Sequence, residues 1–338
     1  MTSQNSSSTI RDVARLAGVS VATVSRFINQ NAPLAEETQK RVQAAMDELH
    51  FIPHLTARNL ATHRTNNIGL VVDNIGGEFF TPLLDGMVSV TQANDYNLLI
   101  FNGIKPGPQT MNRLGPGNTD GLMVFLESLD KDSLYHLSHI GHPIVLIHQT
   151  PPPDLDLPLV TIENKAGAGK LVDHLIEVHG KKKIIFLRGP EGNEDSSWRE
   201  VGYRESLEKH QIALDENLIN YGDYDRFVAL KNLGQMIHEG IQFDAVFAAD
   251  DDSAIGAMQA LREAGIDVPG QVAVVGFDDQ RLASFLNPSL TTIHAPTMQI
   301  GASAAENILH LIRHEPVEPI TLLPTNLVIR NSCGCSST

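Results

Sequence analysis

A chain of 338 residues is too long for one ordinary domain, and a composition 42% hydrophobic and 19% charged excludes a disordered or fibrous protein. The formal net charge of −15 argues against nucleic-acid binding only until the chain is divided. Through Arg64 the balance is +2 and beyond it −17, so a mildly basic head precedes an acidic body that would repel DNA phosphate.

The head begins with TIRDVARLAGVSVATVSRFIN, from Thr9 to Asn29. Thr9 can accept from the amide of Asp12 while Asp12 reaches back, which is a capping-box start. Ile10, Val13, Ala14 and Ala17 then fall on one helical face, and Gly18 stops the helix where a left-handed residue is needed. Ser20 caps a second helix whose Val24 and Ile28 face the first, with Phe27 partly buried. Val21, Ala22, Ser25, Arg26 and Asn29 are left outward. Two short helices with a polar, arginine-bearing outer face form a helix-turn-helix pattern, whose second helix enters the DNA major groove. A third helix is expected over residues 36–50, with Val42, Ala45, Met46 and Leu49 closing the small core. Ala35 stands where a capping Ser or Thr would add about 1 kcal/mol.

The string DVARLAGVSVATVSRFIN closely resembles the N-terminal signature of the lactose/galactose repressor family of bacterial transcription regulators. The resemblance implies a head at residues 1–50, a hinge and linker at 51–65 and a two-lobed body at 66–338. Its first lobe would be residues 66–162 and 293–320, and its second 163–292 and 321–338. The segment HLTARNLAT resembles the family's hinge helix. By that likeness Leu60 wedges into a central CG step through the minor groove, and Ala57 faces a partner hinge. The implied partners are a palindromic operator and a second copy of the chain. The valine-alanine pair at 21 and 22 resembles the galactose-repressor branch. Both are apolar and suit thymine methyls; Arg26 suits a bidentate guanine contact, and Thr23 and Ser25 suit phosphates. Thr9, Ser20 and Asn29 complete the expected DNA-facing set.

From residue 67 onward, strand-length apolar runs alternate with helical stretches: IGLVVD, NLLIFN, GLMVFL, PIVLIH, then KIIFLRG, AVFAADD and VAVVGFDD. Two such cycles mean two doubly wound parallel-sheet lobes. The expected fold is therefore an all-α helix-turn-helix head with a hinge helix, joined to an α/β body similar to periplasmic sugar-binding proteins. The segment after Thr291 is expected to cross to the first lobe and return. Residues 103–119, rich in Pro and Gly, cannot hold the long helix the family has there, which puts the dimer geometry in doubt.

Ligands of such sheets bind beyond the C-terminal strand ends, here between the lobes. Candidates are Arg199, at the place of the family's ligand-gripping arginine and opening its helix; Asp250 and Asp278 at strand ends; Tyr224; His148; and Phe79 and Phe80. Carboxylates accepting from hydroxyls, a guanidinium donating to oxygens and an aromatic face suit a sugar or other polyol. Plainer roles stay open: core packing for the phenylalanines, capping for Asp251 and Asp279, a satisfied strand-end histidine for His148. Control by a protein partner or by a non-sugar ligand such as a purine is the alternative.

No GxGxxG follows the first strand, and no Walker, GxSxG or HExxH pattern occurs, so no enzymatic activity and no cofactor are expected. Cys333 and Cys335 are too few for a disulfide framework or a zinc site and suit a reducing cytoplasm. The first eight residues, MTSQNSSS, carry no signal-peptide pattern, no run reaches membrane-spanning length, and no heptad segment supports a tetramer.

Overall fold

A computed structural model describes residues 8–29, 32–51, 64–103 and 108–336. Its contacts divide the chain into two compact units, Met1–Thr65 and Asn66–Thr338.

In the first unit, α1 (Ile10–Ala17), α2 (Val21–Asn29) and α3 (Glu36–Glu48) enclose a core of Val13, Ala14, Ala17, Val24, Val42 and Ala45. Both halves of the Thr9–Asp12 capping box form, and Gly18 takes φ +64° and closes α1. Ser20 Oγ accepts from the amide of Thr23 at 3.1 Å, so α2 starts on its own cap. No side chain caps α3, because Ala35 offers none, and the helix ends at Glu48, two residues before the expected limit. The hinge stretch at residues 54–62, with Ala57 and Leu60, lies outside the described residues.

The second unit contains two parallel sheets. The larger has the order β11–β5–β4–β3–β1–β2, built from β1 (Asn67–Val72), β2 (Asn97–Asn102), β3 (Gly121–Phe125), β4 (Ile144–Ile147), β5 (Leu159–Ile162) and β11 (Ile320–Leu323). The smaller has the order β7–β6–β8–β9, from β6 (Ile184–Arg188), β7 (Ile219–Tyr221), β8 (Ala245–Ala248) and β9 (Ala273–Val275). β3, β4, β8 and β9 are buried along their whole length. Helices on both faces of a sheet leave its strands no polar side, which is why their sequences run apolar without alternation. A short antiparallel pair, β10 (Thr292–His294) with β12 (Asn326–Val328), carries the chain between the lobes. The first lobe's share of this crossing extends through Leu323, three residues past the expected boundary at 320, because β11 pairs with β5 along Ile320–Leu323.

The helices of this unit are α4 (Phe80–Ala93), α5 (Pro108–Leu114), α6 (Lys131–His139), α7 (Asn164–Glu177), α8 (Glu194–Lys209), α9 (Arg226–His238), α10 (Asp251–Glu263) and α11 (Thr297–Ile312). In the Pro- and Gly-rich stretch the described helix is α5, only seven residues long. α4 and α11 approach unusually closely. A Cβ on Gly86 would lie 2.0 Å from Met298 O, and one on Gly301 2.0 Å from Leu83 O. Reciprocal glycines therefore let each backbone sit against the other, which fastens the crossing helix α11 to the first lobe.

Several expected boundaries shift because side-chain caps start helices earlier than apolar periodicity suggests. Asn193 accepts from the amide of Ser196, so α8 starts at Glu194 and Arg199 lies in its second turn instead of opening it. Asp250 accepts from the amides of Asp252 and Ser253 and caps α10, so β8 ends at Ala248 and not at Asp251. No helix among the described residues is long and apolar enough to cross a membrane.

Candidate DNA interface and effector site

On α2, Val21, Ala22 and Arg26 are exposed, Thr23 and Ser25 are half-buried, and Val24 is wholly buried. Burial of Val24 fixes the helix rotation and so decides which face is presented. Thr9 and Ser20 are exposed but engaged: Thr9 Oγ1 bonds Asp12 at 2.6 Å, and Ser20 Oγ lies 2.9 Å from Thr23 Oγ1. Asn29 closes α2.

In the second unit the strand C-termini of both sheets meet in one buried polar cluster. Its hub is Arg199, which is 3% exposed. Its Nε donates to Asn164 Oδ1 at 2.8 Å, and Nη1 donates to the carbonyl of Ala249 at 2.5 Å. Nη2 lies 3.4 Å from Asp278 Oδ1, close enough for charge attraction although no hydrogen bond forms. The guanidinium stacks 3.8 Å from the Phe277 ring and lies 5.8 Å from that of Tyr224. Arg199 belongs to the helix after β6 and holds the backbone after β8, so it bridges the crevice where the strand order reverses, the usual ligand position in such sheets.

The cluster also joins the lobes. His148, just after β4, donates Nδ1–H to Asp195 Oδ2 at 2.8 Å, and Asn164 Nδ2 donates to the other Asp195 oxygen at 2.7 Å. Thr150 donates its amide to Glu194 at 2.7 Å, and the amide of Leu282 donates to Glu78 at 3.1 Å. Phe79 and Phe125 pack on His148 and Phe80 packs on both phenylalanines, with Phe125 and His148 centroids 5.6 Å apart and Phe79 and Phe80 also 5.6 Å apart. Phe79 and Phe80 are half-buried, so core packing and a wall for the cleft coexist. Phe79 and Asp278 also line a groove of about 740 Å³ with Gln280, Pro296 and Met298. His148, Asp195 and Arg199 are not on that groove's wall.

Backbone and charge are both strained here. Leu126, His148, Tyr224, Asp278 and Asp279 all have positive φ, with Asp278 at +105°. Each follows a strand end, and such conformations persist where surrounding structure over-determines them. Burial pushes Asp278 up to about 7 despite the Arg199 charge beside it, and burial pushes Asp250 up to about 6. Burial also opposes the Asp195 carboxylate, but His148, Arg199 and Asn164 outweigh it and hold its pKa below the usual value.

The expected residues thus separate. His148, Arg199 and Asp278 converge. Tyr224 joins at the edge, its hydroxyl donating to Asn193 Oδ1 at 3.0 Å. Asp250, expected to reach a ligand from a strand end, has its carboxylate engaged by the α10 amides. Asp251, expected as a cap, is fully buried and accepts from Thr292 Oγ1 at 2.6 Å and the Gln280 amide at 2.7 Å. Asp279 holds Arg330 at 2.6 Å. Asp195, Asn164 and Gln149 were not foreseen. Only Asp195 left a local signal, four residues before Arg199 on the same face of α8. Among the described residues, five buried side-chain atoms lack a hydrogen-bond partner: His148 Nε2, Gln149 Oε1 and Asp278 Oδ1, and elsewhere in the second lobe Arg188 Nε and Ser253 Oγ.

The family model for bacterial regulatory proteins of the lacI family matches residues 9–54, and that of the periplasmic binding protein-like domain matches residues 172–333. The transcriptional regulator RegA of Clostridium acetobutylicum is 35% identical over 330 residues, covering 96% of this chain and 98% of the relative. GalR of Escherichia coli K12 is 32% identical over 333 residues, covering 97% and 96%. A Lac repressor dimer bound to operator and an anti-inducer superposes with TM-score 0.85 at 27% identity, covering 96% and 99%. A CelR–cellobiose complex gives 0.73 at 29% identity, also covering 96% and 99%. With its helix-turn-helix head and two-lobed body, the chain belongs to the lacI family of bacterial transcriptional regulators.

Proposed function

We propose that this regulator represses carbohydrate-use genes from the cytoplasm as a homodimer on a palindromic operator, and that a sugar-like ligand between the lobes controls it. The observation that carries the ligand reading is that His148 Nε2, Gln149 Oε1 and Asp278 Oδ1 are buried without a hydrogen-bond partner, with His148 and Asp278 in the cluster of a fully buried arginine whose charge faces Asp278. A buried donor or acceptor left unpaired costs about 1–3 kcal/mol. A polyol in that place would satisfy acceptors and carboxylate alike, while Phe79, Phe80 and Tyr224 cover its C–H faces. The solved CelR–cellobiose complex, similar to this chain over 96% of its length, lends the same support.

On DNA, Val21 and Ala22 meet thymine methyls, Arg26 reads a guanine, and Thr23, Ser25, Thr9, Ser20 and Asn29 hold the backbone. Leu60 and Ala57 belong to the hinge that would fold between two copies. A head of charge +2 is a weak phosphate binder alone, which favours two heads acting together. The body carries groups that bind and orient, and the relatives of 32% and 35% identity are transcription regulators, which favours regulation over catalysis as its role.

The test is a thermal-shift screen of the full chain against sugars, sugar phosphates and purines. A saturable rise in melting temperature with a neutral sugar, lost in Arg199→Lys, supports the reading. A rise with purines alone, or none with any compound, contradicts the sugar assignment.

A further inference from the structure

The end of α7 and the stretch after β12 come together away from the effector cluster. His174 lies in the last turn of α7, and His179 follows it by five residues, just before Gly180 at φ +64° turns the chain away. From the other side, the amide of Ser332 donates to Ser289 O at 2.9 Å and its hydroxyl to Val274 O at 2.6 Å, which lays this stretch along β9. That contact sets Cys333 into the interior at 1% exposure. Gly334 then adopts φ +110° and lies against the His179 ring, where a Cβ would come within 3.3 Å of it, and Cys335 is returned toward the same point.

Four ligand atoms of this group lie within 4.8 Å of one another. His174 Nε2 and His179 Nε2 are 3.3 Å apart, and Cys335 Sγ is 3.4 Å from the latter and 3.8 Å from the former. A tetrahedral zinc ion with Zn–N near 2.05 Å and Zn–S near 2.3 Å spaces its ligands by about 3.3 Å for N–N and about 3.6 Å for N–S. The three edges among His174, His179 and Cys335 match these spacings to about 0.2 Å, and Cys333 Sγ completes the group within 4.8 Å of the others. Two imidazole nitrogens facing each other and a thiol at that distance share few hydrogens between them, whereas a cation satisfies all of them at once. The rings meet edge to face at 76°, which keeps both Nε2 atoms clear of stacking. Thr291 Oγ1 lies 3.2 Å from Cys333 Sγ and can donate to it, the kind of outer contact that steadies a thiolate ligand. The other acidic group of comparable shape, Asp173, Glu177 and His210, already holds Lys209 Nζ at 2.7 Å from Asp173 and needs no ion.

We propose that His174, His179, Cys333 and Cys335 form a tetrahedral Cys₂His₂ zinc site that ties the segment after β12 to α7. The spacing His-x4-His is that of structural zinc sites, and Cys-x-Cys is one residue tighter than usual, a difference that Gly334 accommodates. Counting cysteines alone concealed the site, because its histidines lie 161 and 156 residues before Cys335. All four positions being filled by protein, the ion is structural and closes the second lobe on the last strand of the crossing.

The test uses the full chain, purified under reducing conditions without chelator, with zinc measured by mass spectrometry per polypeptide. The expected result is about one zinc per chain, retained through desalting and lost in the double variant Cys333→Ser/Cys335→Ser. Should that variant fail to fold, the wild-type protein stripped with chelator and refilled with cobalt(II) gives the second reading. Thiolate-to-cobalt charge transfer with tetrahedral d–d absorption supports the site, as does a melting temperature that falls on stripping and returns with zinc. Zinc absent from wild type with no cobalt–thiolate spectrum, zinc retained in full by the double variant, or a Cys333–Cys335 disulfide found by intact mass under non-reducing conditions would each overturn it.

Discussion

Asp278 shows how one residue ties stability to the effector site. Burial raises its pKa in the folded chain to about 7, against about 3.9 for an unfolded aspartate. A group raised in this way stabilises the fold fully below the unfolded value, and that contribution is lost as pH rises through the folded one. Between about pH 4 and 7 the folded state holds the extra proton, so stability falls with pH, by up to about 1.4 kcal/mol per unit. Urea unfolding of the wild type is expected to show this downward slope, with Asp250 adding to it up to about pH 6. Asp278→Asn flattens the slope by one proton and is more stable than wild type at pH 8. A profile unchanged by the substitution would mean that Asp278 ionises normally. Arg26 is the residue-scale counterpart on the head, exposed on α2. Arg26→Ala is expected to weaken operator binding by about 1–3 kcal/mol and to relax preference at one base pair, read by binding to a set of single-base operator variants.

At the scale of elements, the caps and close approaches make the sharpest predictions. α3 begins without a side-chain cap, with Ala35 at φ −58° and ψ 139°. Ala35→Ser should stabilise the head by about 1 kcal/mol, measured as slower amide exchange in α3 of the full chain. Gly301→Ala does the reverse to the body. Its new methyl would sit 2.0 Å from a backbone oxygen of α4, which cannot yield without moving the helix. A loss of about 1–3 kcal/mol or more is expected by chemical denaturation. The elements were largely legible from sequence because their signals are local: a capping box at Thr9, a left-handed Gly18, apolar runs that do not alternate. Helix starts were misplaced where one polar cap, Asn193 or Asp250, precedes a turn with little apolar periodicity. The effector cluster was legible only in part. His148, Arg199 and Asp278 stand at strand ends or opposite an expected family position. Asn164 and Gln149 carry no pattern of their own and acquire meaning only when two sheets meet.

For the whole molecule, the lobes touch through His148–Asp195, Thr150–Glu194 and Glu78–Leu282, three polar contacts from two strand ends of each lobe. Polar contacts of this kind can be exchanged for contacts to a ligand without unfolding either sheet. A ligand shifts such an equilibrium only by its differential affinity for the two lobe arrangements, and a full switch needs about 5.5 kcal/mol. His148→Ala removes one contact and a cleft group together. It should raise the radius of gyration in small-angle scattering and weaken any sugar found in the thermal screen, while leaving DNA-free folding intact. The most direct measurement of the account is the affinity of the full chain for its own selected palindrome, by fluorescence anisotropy, with and without the sugar that stabilises it. The account predicts tight, Arg26-dependent binding that the sugar changes at least tenfold in wild type and leaves unchanged in Arg199→Lys. Specific binding indifferent to every stabilising ligand, or no specific binding at all, would contradict it.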